Sequence, residues 1–277
     1  MTIQTTLTLA NGVKMPTIGY GTFRMKDHEV AYQGVLDALQ AGYRHIDTAA
    51  IYENEEAVGR AIKDSGIARD ELFITTKVWN KDQGYDNTLR AFDTSLQKLG
   101  LDYVDLYLVH WPKPTLHDTY KAVEKLYDDK LIRVPGVSNF HKHHLEDLFT
   151  TCNVKPMVNQ IEVHPSLAQE ELRAFCQSQN IAITAWAPLG TGIVFTHPII
   201  KALANKYNKT VAQIVLRWHI EIGNIAIPKS VTRERVAENI QIYDFQLQAD
   251  EVAAISALNT EHRTSLNPDD GYVNPNF

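Results

Sequence analysis

Two hydrophobic periods alternate along this chain. Short runs of four to eight residues, dense in Val, Ile, Leu and aromatics, recur as "TIGY" (17–20), "YRHID" (43–47), "LFITTKV" (72–78), "YVDLYLVH" (103–110), "IRVPGVS" (132–138), "PMVNQIEV" (156–163), "IAITAW" (181–186) and "NIAIP" (224–228). Between them lie longer stretches with apolar residues at three- and four-residue spacing, such as "VAYQGVLDALQA" (30–41), "NEEAVGRAIKDS" (54–65), "NTLRAFDTSLQKL" (87–99) and "EELRAFCQSQ" (170–179). The first pattern predicts buried strands and the second amphipathic helices. Most strand-to-strand intervals are near the ~30 residues of a strand–helix–strand unit, which implies a parallel sheet. Ahead of the first unit, "TLTLANGVKM" alternates around an Asn-Gly pair and predicts a β-hairpin. After the eighth, "QADEVAAISALN" predicts one more helix, followed by the polar tail "HRTSLNPDDGYVNPNF".

Eight strand–helix units in 277 residues fit closure into a (β/α)8 (TIM) barrel, an α/β fold, better than an open sheet. An open dinucleotide fold needs Gly-x-Gly-x-x-Gly after a strand, and "GYGTFR" carries only Gly19 and Gly21, with Arg24 in the third place. No linker or shift in composition interrupts the chain, so residues 1–277 are read as a single domain. The formal net charge of -6 argues against a nucleic-acid or anionic-membrane surface. No apolar run is long enough to span a bilayer. The start, "MTIQTTLTLANG", has neither a basic nor an apolar leader segment, and the two cysteines make no Cys-x-x-Cys; both features predict a cytoplasmic protein.

In such a barrel, chemistry sits at the C-terminal ends of the strands. There the chain places Asp47, Lys77 and His110 on three successive strands, with Tyr52 in the loop after Asp47. Separately, each has an ordinary reading: a helix cap, a snorkelling lysine, a core histidine, a packing aromatic. Together they make a proton-donating set. A nearby ammonium is expected to lower the phenol below its ordinary value near ~10, and a carboxylate keeps the ammonium charged in a dry pocket. A histidine can hold a carbonyl oxygen toward the phenol. The set supplies no electrons, so a hydride donor is missing.

The motifs "GYGTFR", "GYRHIDTAAIYENEEAVG", "ITTKVWN", "DYVDLYLVHWP", "GVSNF", "NQIEVHP", "AWAPLG" and "IPKSVTRERVAEN" run nearly end to end. In them the chain resembles the aldo-keto reductases, in the bacterial branch that includes the 2,5-diketo-D-gluconic acid reductases. The resemblance implies a monomeric, NADPH-dependent oxidoreductase that reduces small dicarbonyls, keto-sugars such as 2,5-diketogluconate, and aromatic or aliphatic aldehydes to alcohols. It makes Tyr52 the general acid, tuned by Lys77 and Asp47, with His110 orienting the carbonyl. It places Trp186 against the nicotinamide, in the position of the family's usual tyrosine. Ser138, Asn139 and Gln160 would bind the carboxamide, Gly21, Thr22 and Leu189 would line the cofactor path, and Glu238 and Asn239 would hold the adenine end.

Lys229, Ser230 and Arg235 form a local basic knot in an acidic chain, at a strand end and helix start. That is an anion site, read as the seat of the 2′-phosphate, which favours NADPH over NADH. Phe23, Trp79 and Trp111 flank the proposed acid, lysine and histidine and are read, with His110, as a substrate-pocket wall; core packing is the alternative. The short "WPKPTLHDTY" after His110 predicts an open pocket. "HKHH" (141–144) is read as a solvated helix start and not a metal site, since three such close neighbours should not face one ion. Glu162 is read as structural. Pro135, inside a central strand, removes a ladder donor and with Gly136 predicts a bulge. The tail, with Tyr272 and Phe277, either frays or folds over the mouth. The competing function is a nicotinamide-binding regulatory or structural subunit with little catalysis.

Overall fold

The computed structural model describes residues 5–273. A two-stranded antiparallel hairpin comes first: β1 (Thr6–Thr8) pairs with β2 (Lys14–Pro16), Leu7 opposite Met15. Its connection is a three-residue loop, closed by Leu9 N–H donating to Val13 O (2.8 Å), with Gly12 at φ 85° in the left-handed region. Eight parallel strands follow: β3 (Tyr20–Gly21), β4 (His45–Asp47), β5 (Phe73–Val78), β6 (Val104–Val109), β7 (Ile132–Ser138), β8 (Val158–Glu162), β9 (Ala182–Trp186) and β10 (Ile225–Ala226). They pair in chain order. A parallel bridge between Ile18 and Ala226, with Gly19 N–H donating to Ala226 O (2.8 Å), joins the first to the last and closes the barrel. The predicted barrel and hairpin are both present.

The helices predicted at 30–41, 54–65, 87–99 and 170–179, and the one predicted after the eighth unit, form with small shifts at their ends; eleven α-helices are described in all. They are α1 (His28–Ala41), α2 (Glu55–Asp64), α3 (Tyr85–Leu99), α4 (Leu116–Asp128), α5 (Lys142–Phe149), α6 (Glu170–Ser178), α7 (Pro198–Tyr207), α8 (Val211–Glu221), α9 (Arg233–Asn239), α10 (Ala249–Ser256) and α11 (Pro268–Val273). The start and stop of α1 show why. Asp27 caps its N-terminus by accepting from Glu29 N–H and Val30 N–H, and Gly42 at φ 107° ends it.

Strand alternation divides the core into two parts. Phe73, Leu106, Leu108, Val134, Val158 and Ile225 point into the barrel and pack on Leu9 and Met15 of the hairpin, which plugs the bottom. Ile46, Ile74, Tyr107, Val109 and Val137 point outward, against the helices. This alternation decides where Lys77 goes: it continues the inward set of Phe73 and Thr75, so its side chain must rise inside the barrel.

The bulge expected at Pro135 does not form. The pairing of β7 with β6 runs without a break through Leu106–Val134, Tyr107–Pro135 and Leu108–Gly136. On its other edge β7 meets β8 only from Gly136–Val158 onward, while Pro135 O still accepts from Met157 N–H (2.9 Å). The missing donor thus falls where β8 has not begun, so no ladder bond is lost. Gly136 serves packing inside the barrel: a Cβ there would lie 2.6 Å from Leu108 Cδ2.

Candidate active site

At the C-terminal mouth the structure brings together Asp47, Lys77, His110 and Tyr52. Lys77 is fully buried and its Nζ donates to Asp47 Oδ1 (2.6 Å) and to Thr48 O (2.8 Å). Gln160 Nε2 donates to the other carboxylate oxygen, Asp47 Oδ2 (2.7 Å). Tyr52 ends a short helical turn, Ala50–Tyr52, stopped by Glu53 in the left-handed region at φ 58°. Asn54 staples the loops beside it: Nδ2 donates to Thr22 O (3.0 Å) and Met25 O (3.1 Å), and Oδ1 accepts from Thr48 Oγ1 (2.7 Å). The Lys77 ammonium lies 5.0 Å from the Tyr52 ring centre, and the His110 ring lies 5.8 Å from it, edge-on.

The electrostatics differ from the expected acidified phenol. Burial, reinforced by the Asp47 charge, holds the Tyr52 hydroxyl well above its ordinary value. Lys77 directs two of its three N–H groups to Asp47 and Thr48, and burial lowers its own pKa against the opposing pull of Asp47. The phenol therefore keeps its proton in this state. Burial and then the Lys77 charge push His110 well below 6.5, so its imidazole is neutral at pH 7. His110 Nδ1 is buried without a partner among the described residues, which leaves Nε2 as the nitrogen a bound molecule can meet.

Ser138, Asn139, Gln160 and Trp186 form one connected set beside this cluster. Ser138 Oγ donates to Gln160 O (2.8 Å). Asn139 Nδ2 donates to His110 O (2.9 Å) and Ser138 Oγ (3.2 Å), and Asn139 Oδ1 accepts from Trp186 Nε1–H (2.8 Å). The indole at 186 is thereby pinned through its ring N–H. Thr22 N–H and Oγ1 both donate to Asp47 O (3.0 Å each), tying β3 to β4. Gly21 sits on the closing seam, where a Cβ would lie 2.9 Å from Ile227 O. Leu189 is half-buried in the loop after β9.

At the eighth strand end, Arg233 is engaged with Asp37 (3.7 Å) and Gln40 (3.2 Å). Lys229 and Arg235 are exposed and have no ion-pair partner among the described residues. Ser230 Oγ accepts from Thr232 N–H (3.1 Å), and Asn239 is buried at the end of α9, next to the half-buried Glu238. Phe23 is 54% exposed and packs on Tyr52 (ring centres 5.1 Å), Trp79 packs edge-on against His110 (5.1 Å), and Trp111 is buried.

Glu162 Oε1 accepts from Thr264 N–H (2.7 Å) and from the Thr264 hydroxyl, and so ties the tail to the end of β8. Phe277 and the side chain of Tyr272 lie outside the described residues. Of the "HKHH" histidines, His143 is exposed as expected of a solvated helix start, His141 is half-buried and His144 is buried, and ligand atoms of His141, His143, His144 and Asp269 lie within 4.8 Å of one another. Local spacing does not show this grouping, because the fourth member comes from α11, more than a hundred residues away. Thr48 and Asn54 were not anticipated either, since a backbone carbonyl and a loop staple leave no mark in a sequence.

The fold and this mouth define a reductase-type barrel, and comparison with known proteins gives the family. Residues 17–260 match the Aldo/keto reductase family, and the chain belongs to it. It is 51% identical over 269 residues to a protein named glyoxal reductase from Bacillus subtilis, covering 97% of this chain and 98% of that protein. It is 48% identical over 274 residues to a methylglyoxal reductase of Yersinia pestis, with 97% and 98% covered. The crystal structure of a Bombyx mori aldo-keto reductase in complex with NADP superposes with a TM-score of 0.92 at 40% identity, covering 98% of each chain. Among the described residues no helix is long and apolar enough to cross a membrane.

Proposed function

We propose that this chain reduces small aldehydes and ketones with NADPH, in the manner of its relatives, and that reactive dicarbonyls such as glyoxal and methylglyoxal are the substrates it serves best. The observation that carries this reading is the buried Lys77–Asp47 pair set beside a protonated Tyr52, with a neutral His110 across from it. Keto-sugars such as 2,5-diketogluconate and larger aldehydes are secondary substrates in this reading, admitted by the exposed Phe23 side of the mouth.

The donor set suits the cofactor. Asn139 Oδ1 keeps one lone pair and Gln160 keeps its Oε1, acceptors that fit the two N–H donors of a carboxamide. The half-buried Trp186 offers a flat face held in place by Asn139. Gly21, Thr22 and Leu189 border the path toward α9, where Glu238 and Asn239 would meet the adenine, and Lys229, Ser230 and Arg235 would meet the 2′-phosphate. When bound, NADPH supplies the hydride. His110 Nε2–H holds the carbonyl oxygen, and Tyr52 gives its proton to that oxygen as the negative charge develops on it. A raised phenol pKa serves this step: the proton stays on Tyr52 until an alkoxide, a stronger base than phenolate, is there to take it. Lys77 then stabilises the phenolate left behind, and Asp47 with Gln160 fixes the position of Lys77.

Tyr52→Phe tests the assignment. NADPH should bind with unchanged affinity while turnover of methylglyoxal falls by ~10²–10⁴-fold, the usual worth of a positioned acid. Turnover near the parent level would sink the reading.

A further inference from the structure

We propose that His141, His143 and Asp269 form a binding site for a divalent transition-metal ion, with His144 holding the carboxylate in place. The site joins the start of α5 to the tail helix α11, apart from the Lys77–Tyr52 cluster. One carboxylate oxygen, Asp269 Oδ1, is ringed by three imidazole nitrogens: His143 Nε2 at 3.0 Å, His141 Nδ1 at 3.2 Å and His144 Nε2 at 3.5 Å. His141 Nδ1 is also 3.2 Å from Oδ2. The hydrogen bonds to Asp269 come from His141 Nδ1, and His143 Nε2 approaches as closely without one among the described contacts, so hydrogen bonding alone does not account for the convergence.

The spacing fits a metal. With metal–ligand bonds of ~2.0–2.1 Å, neighbouring ligands in a tetrahedron stand ~3.3 Å apart. The 3.0 and 3.2 Å separations of His143 and His141 from Asp269 are close to that edge. All four ligand atoms lie within 4.8 Å of one another, so small side-chain rotations would close the set around an ion. His144 is assigned the supporting part because its Nδ1 accepts the His141 backbone N–H (3.1 Å). Its proton therefore sits on Nε2, which can donate to Asp269 but cannot coordinate. Three ligands leave the fourth position to water. Two imidazoles and one carboxylate select zinc, nickel or copper over magnesium or calcium. The Arg263 guanidinium, 3.2 Å from His141 Nε2, must withdraw on binding, because coordination through Nδ1 moves the His141 proton to Nε2.

The test is isothermal titration of ZnCl2 into the untagged full-length protein saturated with NADPH. One equivalent should bind, and His143→Ala and Asp269→Asn should each weaken binding by ~10–100-fold. Arg263→Ala should tighten it, and His117→Ala, at the separate surface pair with Asp147, should leave it unchanged. All these positions except His144 are at or near the surface, so folding is not at stake. The proposal is overturned if the parent binds zinc no better than His143→Ala, if one-to-one binding survives Asp269→Asn, or if MgCl2 binds as well as ZnCl2.

Discussion

Replacing Lys77 by methionine keeps the length of the side chain and removes its charge from the middle of the barrel. The parent lysine is 0% exposed and is held at 2.6 Å from Asp47 and 2.8 Å from Thr48 O. In the variant Asp47, 2% exposed, would keep Gln160 Nε2 as its side-chain donor. Stranding a buried charge in this way costs about 3–5 kcal/mol. For 277 residues, an unfolding entropy of about 0.58 kcal/mol/K turns that into a melting temperature lower by about 5–9 °C. Asp47→Asn combined with Lys77→Met removes the stranded charge and should restore most of the stability, because the two sites are in direct contact and couple. Turnover should stay low in both variants, since the phenolate formed on proton transfer has lost its cation. Thermal melts by circular dichroism and a methylglyoxal assay following NADPH absorbance read the two effects separately. A single variant that melts like the parent, or a double variant no more stable than the single, would refute the account of this pair.

Three further outcomes are expected. Gly136→Ala should cost about 1–3 kcal/mol in urea unfolding, because its methyl meets Leu108 and Leu106 inside a filled barrel. Lys229→Ala and Arg235→Ala should each weaken NADPH binding by ~10–100-fold, the worth of a charge-assisted hydrogen bond, and leave NADH binding unchanged; equal losses for both cofactors in a fluorescence titration would remove the 2′-phosphate from this place. Burial lowers His45 and His219 to about 3, so both are neutral when folded and gain protons below pH 6.5 only on unfolding. Their stabilising share is complete above pH 6.5 and shrinks as pH falls toward 3, by about 3 kcal/mol for the pair between pH 6.5 and 5.0. Urea melts at the two values check this, and equal stability at both would contradict it.

The strands, the helices and the approximate mouth of this barrel were legible in the chain because they depend on local periods. Alternation along "FITTKV" already directs Lys77 inward, and strand-end position already groups Asp47, Lys77 and His110. The family motifs then name the remaining candidates residue by residue. Tertiary structure decided what depends on partners distant in sequence. Gln160 reaches Asp47 across 113 positions, and Asp269 reaches His141 across 128. The harmlessness of Pro135 rests on where a neighbouring strand happens to begin. The protonation of Tyr52 was also out of reach: residue identities announce an ammonium near a phenol, but burial and the competing carboxylate set the direction of the shift, and both are properties of the packed molecule.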